Sequence, residues 1–268
     1  MGIPESWAMS ELARCIAFLR ELDSRAAKRE SPFRFGVGFF NESLPRVWGR
    51  NYLVAEKDLN GASTELLAQE ADRMMAEAGL RHRKIEVYDE EQGARFEQGF
   101  RELGWDVSCD LLMVARREPD RASDTSQVEE VSVEELEPIW AEGIRSEPFG
   151  QDDDVVRQLV DNKRVVMEAI KTRFFASRVD GALVSYCDLY SDGQTGQIEA
   201  VMTLEPYRNR GLSRATVSRA LAASREAGDD LTFLMAHRDD WPQQLYKKLG
   251  FDEVGRVYEF VRPPTAAS

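Results

Sequence analysis

An apolar, strand-like run, Ile198 to Leu204, leads without a break into Glu205-Pro-Tyr-Arg-Asn-Arg-Gly-Leu-Ser-Arg-Ala215. A helix-like run follows to near Gly228, with Val217, Ala220, Leu221 and Ser224 at helical spacing. Strand, tight basic turn and helix start together commit this part of the chain to an α/β arrangement. A helix start leaves free N–H groups at the positive end of the helix dipole, so the turn is an anion site. Arg208, Arg210 and Arg214 add charge and forked donors suited to phosphate. The spacing is Arg208-x-x-Gly211-x-Ser213, which is neither a P-loop nor Gly-x-Gly-x-x-Gly. Small residues at 211 and 213 let the backbone approach a ligand closely.

The surrounding pattern gives an element order. Gln127–Ser132 suits a strand, and Val133–Ser146 and Asp153–Ile170 suit two helices. Arg173–Val179 and Ala182–Tyr190 read as strands joined by the turn Asp180-Gly181, and Asp192-Gly193 leads into the strand Gln197–Leu204. After the basic turn and its helix come a strand at Leu231–Ala236, a helix at Trp241–Leu249 ended by Gly250, and a strand at Val257–Val261 before Pro263-Pro264. Asp239 or Asp240 is the expected N-cap of the last helix, with Pro242 in its first turn.

Two segments carry a family resemblance. Arg208-x-x-Gly211-x-Ser213 resembles the pyrophosphate loop of the GNAT superfamily, the Gcn5-related N-acetyltransferases, usually written Gln/Arg-x-x-Gly-x-Gly/Ala. Leu245-Tyr-Lys-Lys-Leu-Gly-Phe251 is similar to a segment late in many such domains, and the two lie in the family's order. The resemblance implies acetyl-CoA as acyl donor and a primary amine as acceptor. It implies a bulge or splay at Val201, Met202 and Thr203 that frees backbone groups for the acyl-pantetheine arm. It places pyrophosphate over Arg208, Asn209, Arg210, Gly211, Leu212, Ser213 and Arg214, and gives Tyr246 the role of acid toward the leaving thiolate. Serine at 213 departs from the family's Gly/Ala. So does Asp239, where many members have an Asn that donates to pantetheine; a carboxylate cannot.

The front half repeats the pattern without its chemistry. Setting Gly104-Trp105 on Gly250-Phe251 brings Leu103 onto Leu249, Arg101 onto Lys247 and Phe100 onto Tyr246. Lys84–Tyr88 then matches Leu231–Met235, and Leu111–Ala115 matches Val257–Val261. Phe100 has no hydroxyl, Asn51–Gly79 holds no Arg-x-x-Gly-x-small motif, and the turn Asp58–Ala62 is acidic. The expected fold is α/β (α+β): two GNAT-like domains, each a mixed, mostly antiparallel twisted sheet flanked by helices. The expected division is a degenerate domain at 1–117, a polar linker at 118–126 and a catalytic domain at 127–268. A first helix, Glu5–Lys28, is amphipathic, and docking against the N-terminal domain is its expected use.

Charge narrows the partners. Lys plus Arg is 35 against 48 Asp plus Glu, a net charge of −13. That surface disfavours nucleic acid and anionic membranes and favours cationic small substrates. No apolar run reaches the roughly 20 residues of a bilayer span, and no signal-peptide pattern opens the chain. Three scattered cysteines, Cys15, Cys109 and Cys187, suit a reducing cytoplasm. Two histidines without a Cys or His cluster speak against structural zinc.

Glu199 is the candidate general base, or else an anchor for the acceptor amine or a solvent-facing strand residue. Strict alternation would place it on the same face as Val201. His237 is a proton relay or a strand-end residue. Asp188, Asp192 and Tyr190 line a cationic acceptor site or are turn and surface residues, the latter favoured for Asp192. Cys187 reads as core, so transfer is expected to be direct, in a ternary complex. The rival reading is a non-catalytic acyl-CoA-binding or regulatory protein on a tandem GNAT scaffold.

Overall fold

The computed structural model describes residues 9–264. Its elements run in this order: α1 (Glu11–Ala26), β1 (Arg29–Phe33), β2 (Gly36–Phe40), β3 (Tyr52–Ala55), α2 (Thr64–Glu77), β4 (Arg83–Val87), α3 (Glu90–Glu102) and β5 (Asp106–Ala115). Then come β6 (Val128–Val131), α4 (Val133–Arg145), α5 (Asp153–Ala169), β7 (Lys171–Val179), β8 (Ala182–Ser191) and β9 (Thr195–Thr203). The chain closes with α6 (Leu212–Glu226), β10 (Leu231–His237), α7 (Pro242–Lys248) and β11 (Phe251–Arg262). The element order expected from Gln127 onward is present, and several strands are longer than expected, β11 most of all, since it begins directly after Gly250. The first residues of the expected helix Glu5–Lys28 lie outside the described residues; α1 starts behind Ser10, whose hydroxyl accepts from Ala13 N–H at 3.1 Å.

Among the described residues, eleven strands form one mixed sheet in the order β1-β2-β3-β4-β11-β5-β10-β9-β8-β7-β6. Of the pairings among the described residues, β3–β4 and β9–β10 are parallel and the rest antiparallel. Each half has given up its closing strand. β4 pairs with β11 rather than β5, and β10 pairs with β5 rather than β11. The two exchanged strands pair antiparallel at the centre, from Phe251↔Ala115 to Val261↔Asp106. The residues set against each other by the sequence comparison share local geometry around this centre. Gly104 and Gly250 both end a helix in the left-handed region (φ 74° and 93°), where an L side chain is strained. Phe100 meets Trp105 with ring centroids 4.9 Å apart, and Tyr246 meets Phe251 at 6.2 Å.

One face of the sheet is covered by α2, α3, α6 and α7, which bury Phe100, Phe260, Val217 and Phe251 among others. The opposite face carries α1, α4 and α5. α1 buries Cys15, Phe18, Leu22 and Ala26. Its cluster holds Leu231 and Phe233 of β10 as well as Val37 and Val54, so α1 docks across both halves, not on the N-terminal one alone. Among the described residues no helix is long and apolar enough to cross a membrane.

Candidate functional site

The parallel ladder between β9 and β10 runs only from Leu231↔Thr195 to Leu234↔Ile198. Past that point the strands part. β9 continues to Thr203 beside β8, and β10 continues to His237 beside β5. A wedge-shaped cleft opens between them, and backbone groups of β9 on that side lose their ladder partners. At the same place β9 bulges: Asp188 faces Glu199, the next pair is Tyr186↔Met202, and Ala200 sits at φ 53°. Leu204 N–H donates to Val184 O at 2.9 Å, toward β8. Alternation then turns the N–H groups of Val201 and Thr203 into the cleft and that of Met202 toward β8.

The bulge overturns the alternation argument for Glu199. Val201 packs with Ile198 in the cluster under α6, whereas Glu199 accepts a hydrogen bond from Gln197 Nε2 at 2.9 Å on the opposite face. One extra residue in the strand reverses the face of everything beyond it. Glu199 and Tyr246 therefore approach the cleft from different faces.

The basic turn leaves the end of β9 directly. Arg208 Nε donates to Thr203 O at 3.2 Å, and Ser213 Oγ lies 2.7 Å from Thr203 Oγ1. Thr203 Oγ1 in turn lies 2.8 Å from Ser185 Oγ. Ser213 is thus more than small: its hydroxyl ties the helix start to the sheet. Asn209 and Gly211 are both left-handed (φ 63° and 81°), which turns successive N–H groups toward one concavity. Gly211 is the N-cap of α6 and offers no side chain, and the first helical bond is Ala215 N–H to Gly211 O at 3.0 Å. The N–H groups of Leu212, Ser213 and Arg214 are therefore left for a ligand. Arg208, Asn209 and Arg210 are exposed around them. Arg214 is not a phosphate ligand through its side chain. It is buried and ion-paired with Asp120 of the segment between the halves, at 2.8 Å, because its helical position turns it inward.

Tyr246 lies on α7, 6 % exposed, in the α6 and α7 cluster. Among the described residues its hydroxyl makes no hydrogen bond. Burial first, then the nearby Glu199 carboxylate, hold its phenol well above the usual range. Burial also raises the Glu199 carboxyl, with Asp188 and Asp110 adding to the rise and the Ala200 N–H and Lys163 opposing it. A carboxylate held up in this way is a better proton acceptor near neutral pH. Cys187 is fully buried, and burial pushes its thiol up, as expected of a core residue.

On the Glu199 face, Lys163 Nζ meets Asp188 Oδ2 at 2.5 Å, and Tyr190 OH donates to the same oxygen at 2.9 Å. Three buried atoms there have no protein partner: Asp188 Oδ1, Gln197 Oε1 and Trp140 Nε1. Sequence reasoning missed Lys163, Trp140 and Gln197, because only the packing of α4 and α5 over β8 and β9 brings them in. Asp192 is a turn residue, accepting from the N–H groups of Gln194 and Thr195 at 2.8 and 2.7 Å. His237 is exposed at the end of β10, at the mouth of the cleft. Neither Asp239 nor Asp240 caps α7. The N-cap is Trp241, and Asp240 Oδ1 accepts only from the Trp241 N–H, at 2.8 Å. A separate cavity of about 730 Å³, lined by residues such as Trp48, His82 and Phe149, includes none of these groups.

Residues 178–261 match a family model described as FR47-like protein. No curated protein matches the sequence. The fold is shared with a GCN5-related N-acetyltransferase from Kribbella flavida (TM-score 0.64, 20% identity, 96% of this chain and 97% of that one). It is shared with a functionally unknown conserved protein from Staphylococcus epidermidis ATCC 12228 (0.67, 14%, 88% and 93%). A tandem GNAT protein from the clavulanic acid biosynthesis pathway is also similar (0.56, 12%, 92% and 89%). The fold of this chain is that of the GNAT acetyltransferases, matched over nearly its whole length.

Proposed function

We propose that this chain, a protein of GNAT fold, transfers the acetyl group of acetyl-CoA to a primary amine of a small molecule or peptide, directly, in a ternary complex. The observation that carries the reading is continuity. The cleft between β9 and β10 runs straight into an uncapped helix start ringed by Arg208 and Arg210, so one extended ligand with an acyl arm and a pyrophosphate meets both. The N–H groups from Asn209 to Arg214 would hold the pyrophosphate. The N–H groups of Val201 and Thr203 would hold the pantetheine arm and stabilise negative charge developing on the acetyl oxygen.

In this reading Glu199 takes a proton from the ammonium of the acceptor. The freed amine nitrogen forms a bond to the acetyl carbon as the carbon–sulfur bond breaks, Tyr246 gives its phenolic proton to the departing thiolate, and the second proton lost by the new amide nitrogen restores the phenol. Tyr246 keeps that proton until needed because burial disfavours its ionised form. Residues 127–268 would form the catalytic unit and residues 1–117 a degenerate partner, joined by 118–126 and interlocked by their exchanged strands.

The test is a thermal shift with CoA and with acetyl-CoA, followed by release of free CoA thiol with a panel of primary amines. Stabilisation by CoA together with turnover supports the proposal. Stabilisation without turnover on any amine points instead to a non-catalytic acyl-CoA-binding protein, and no stabilisation by CoA sinks both.

A further inference from the structure

Asp188 and Glu199 face each other across β8 and β9, beside the bulge. Carboxylates placed directly opposite on neighbouring strands repel, and these two sit in different surroundings. Asp188 is fully buried, and two donors meet its Oδ2: Lys163 Nζ at 2.5 Å and Tyr190 OH at 2.9 Å. The Lys163 ammonium also stands over the Trp140 ring, 5.1 Å from its centroid. Trp140 is itself held edge-on by Phe174 and Tyr186, with centroids 5.3 and 6.4 Å apart. Lys163 enters from α5 and is thus fixed between α4 and β8. Glu199 is half-buried and, among the described residues, has no ion pair; it accepts from Gln197 Nε2 at 2.9 Å. The carboxylate closed off from solvent takes the lysine, and the one open to a ligand has no cation of its own.

A buried ion pair seldom stabilises its site more than well-packed apolar side chains would. Fold stability alone therefore gives no reason for a lysine here, but its place beside Glu199 does. The charged groups that act on the Glu199 carboxyl are Lys163 from α5, Asp188 from β8 and Asp110 from β5, and Tyr246 of α7 feels it from across the sheet. Burial is the largest influence and raises that carboxyl; Asp188 and Asp110 add to the rise, and Lys163 opposes it. Tyr190, beside Asp188, stays neutral, since burial holds its phenol well above the usual range. Without the lysine, Glu199 would face Asp188 with no nearby positive charge to offset it, and would hold a proton more tightly.

We propose that Lys163 is a positioning residue of the transfer: clamped between Asp188 and Trp140, its ammonium offsets the carboxylate that faces Glu199 and leaves Glu199 free to take the proton of the acceptor ammonium. This deepens the acyl transfer described above and rests on it for the role of Glu199 as base. Lys163 itself neither gives nor takes a proton in that step; the proton passes from the ammonium to Glu199.

The test follows the Glu199 carboxyl by carbon-13 NMR across pH in the full chain without ligand, its signal identified by its loss in Glu199→Gln. Lys163→Gln removes the charge yet keeps an N–H for Asp188, and is expected to raise the midpoint by about one pH unit. Lys163→Arg keeps the charge and should leave the midpoint in place. Asp188→Asn removes the opposing charge and should lower it. Thermal melting shows which variants fold, and Asp188→Asn decides the matter from the other side if Lys163→Gln does not. Release of free CoA thiol with an amine substrate then joins charge to rate: in Lys163→Gln the acid limb of kcat should move to higher pH with the midpoint, while KM for acetyl-CoA holds. A midpoint that Lys163→Gln or Asp188→Asn leaves in place, or that Lys163→Arg raises as far as Lys163→Gln does, would overturn the proposal. Midpoints that move as expected in a protein that turns over no amine would sustain the coupling of Lys163 to Glu199 while the transferase reading fails. Turnover whose acid limb is indifferent to Lys163→Gln would do the reverse.

Discussion

Tyr246→Phe isolates one proton. The Tyr246 ring is held by the α6 and α7 cluster and by its edge contact with Phe251, both of which phenylalanine keeps. Since the hydroxyl has no hydrogen-bond partner among the described residues, removing it orphans no group. The equivalent place in the front half already holds Phe100, fully buried and stacked on Phe260 with centroids 4.2 Å apart. Stability should therefore change by less than about 0.5 kcal/mol. CoA affinity should also hold, because the pyrophosphate turn lies on α6 and not on α7. A positioned proton donor contributes roughly 10²–10⁴-fold to rate, or about 2.7–5.5 kcal/mol of barrier. Release of free CoA thiol gives kcat, calorimetry gives the CoA dissociation constant, and urea unfolding gives stability. The expected outcome is a kcat lower by at least about 100-fold with the other two unchanged. A kcat within threefold of wild type would remove the acid assignment. A parallel loss of CoA binding would show instead that the hydroxyl helps build the site.

Two further outcomes follow from the buried titrating groups. With Glu199 as base, kcat should fall as the pH drops through a carboxyl held above the ordinary value of about 4.3, and Glu199→Gln should both lower the rate and flatten that limb; a Gln variant that keeps the wild-type pH profile would exclude the role. Burial lowers His82 from 6.5 to about 4, against the pull of the Asn51 carbonyl. The unfolded chain takes up this proton first, so stability is complete above about 6.5 and is lost as the pH falls toward 4, by about 3 kcal/mol at roughly 1.4 kcal/mol per pH unit. Urea unfolding at pH 7 and 4.5 should show that loss, and His82→Gln should reduce it; an equal slope in both proteins would place the titration elsewhere.

The part of this molecule legible in its sequence is the part governed by local rules. Asp180-Gly181 and Asp192-Gly193 marked their turns, Gly250 marked a helix end, and the basic stretch after Leu204 marked a helix start with free N–H groups. The Phe100 and Tyr246 correspondence emerged because Gly104 and Gly250 needed the same left-handed geometry. What local rules do not encode is which strand lies beside which. Nothing in Leu111–Ala115 or Val257–Val261 announces that these strands trade places. The face of Glu199 departs from alternation for a related reason: alternation assumes a regular ladder, and Ala200 in the left-handed region breaks it. Arg214, just past the motif, reads as a donor for phosphate, yet its side chain is held by Asp120. The early strands β1 to β3 and the helix α2 carry no motif that marks them.

The claim on which the rest depends is that the turn from Arg208 to Arg214 holds the pyrophosphate of CoA. Its most direct test is calorimetric titration of CoA onto the wild type and onto Gly211→Val, a change that has open space around it but strains the left-handed backbone at φ 81°. The account predicts that CoA binds the wild type and that Gly211→Val weakens it at least tenfold while the protein still unfolds cooperatively. Equal CoA affinity in both proteins, or none in the wild type, would contradict it.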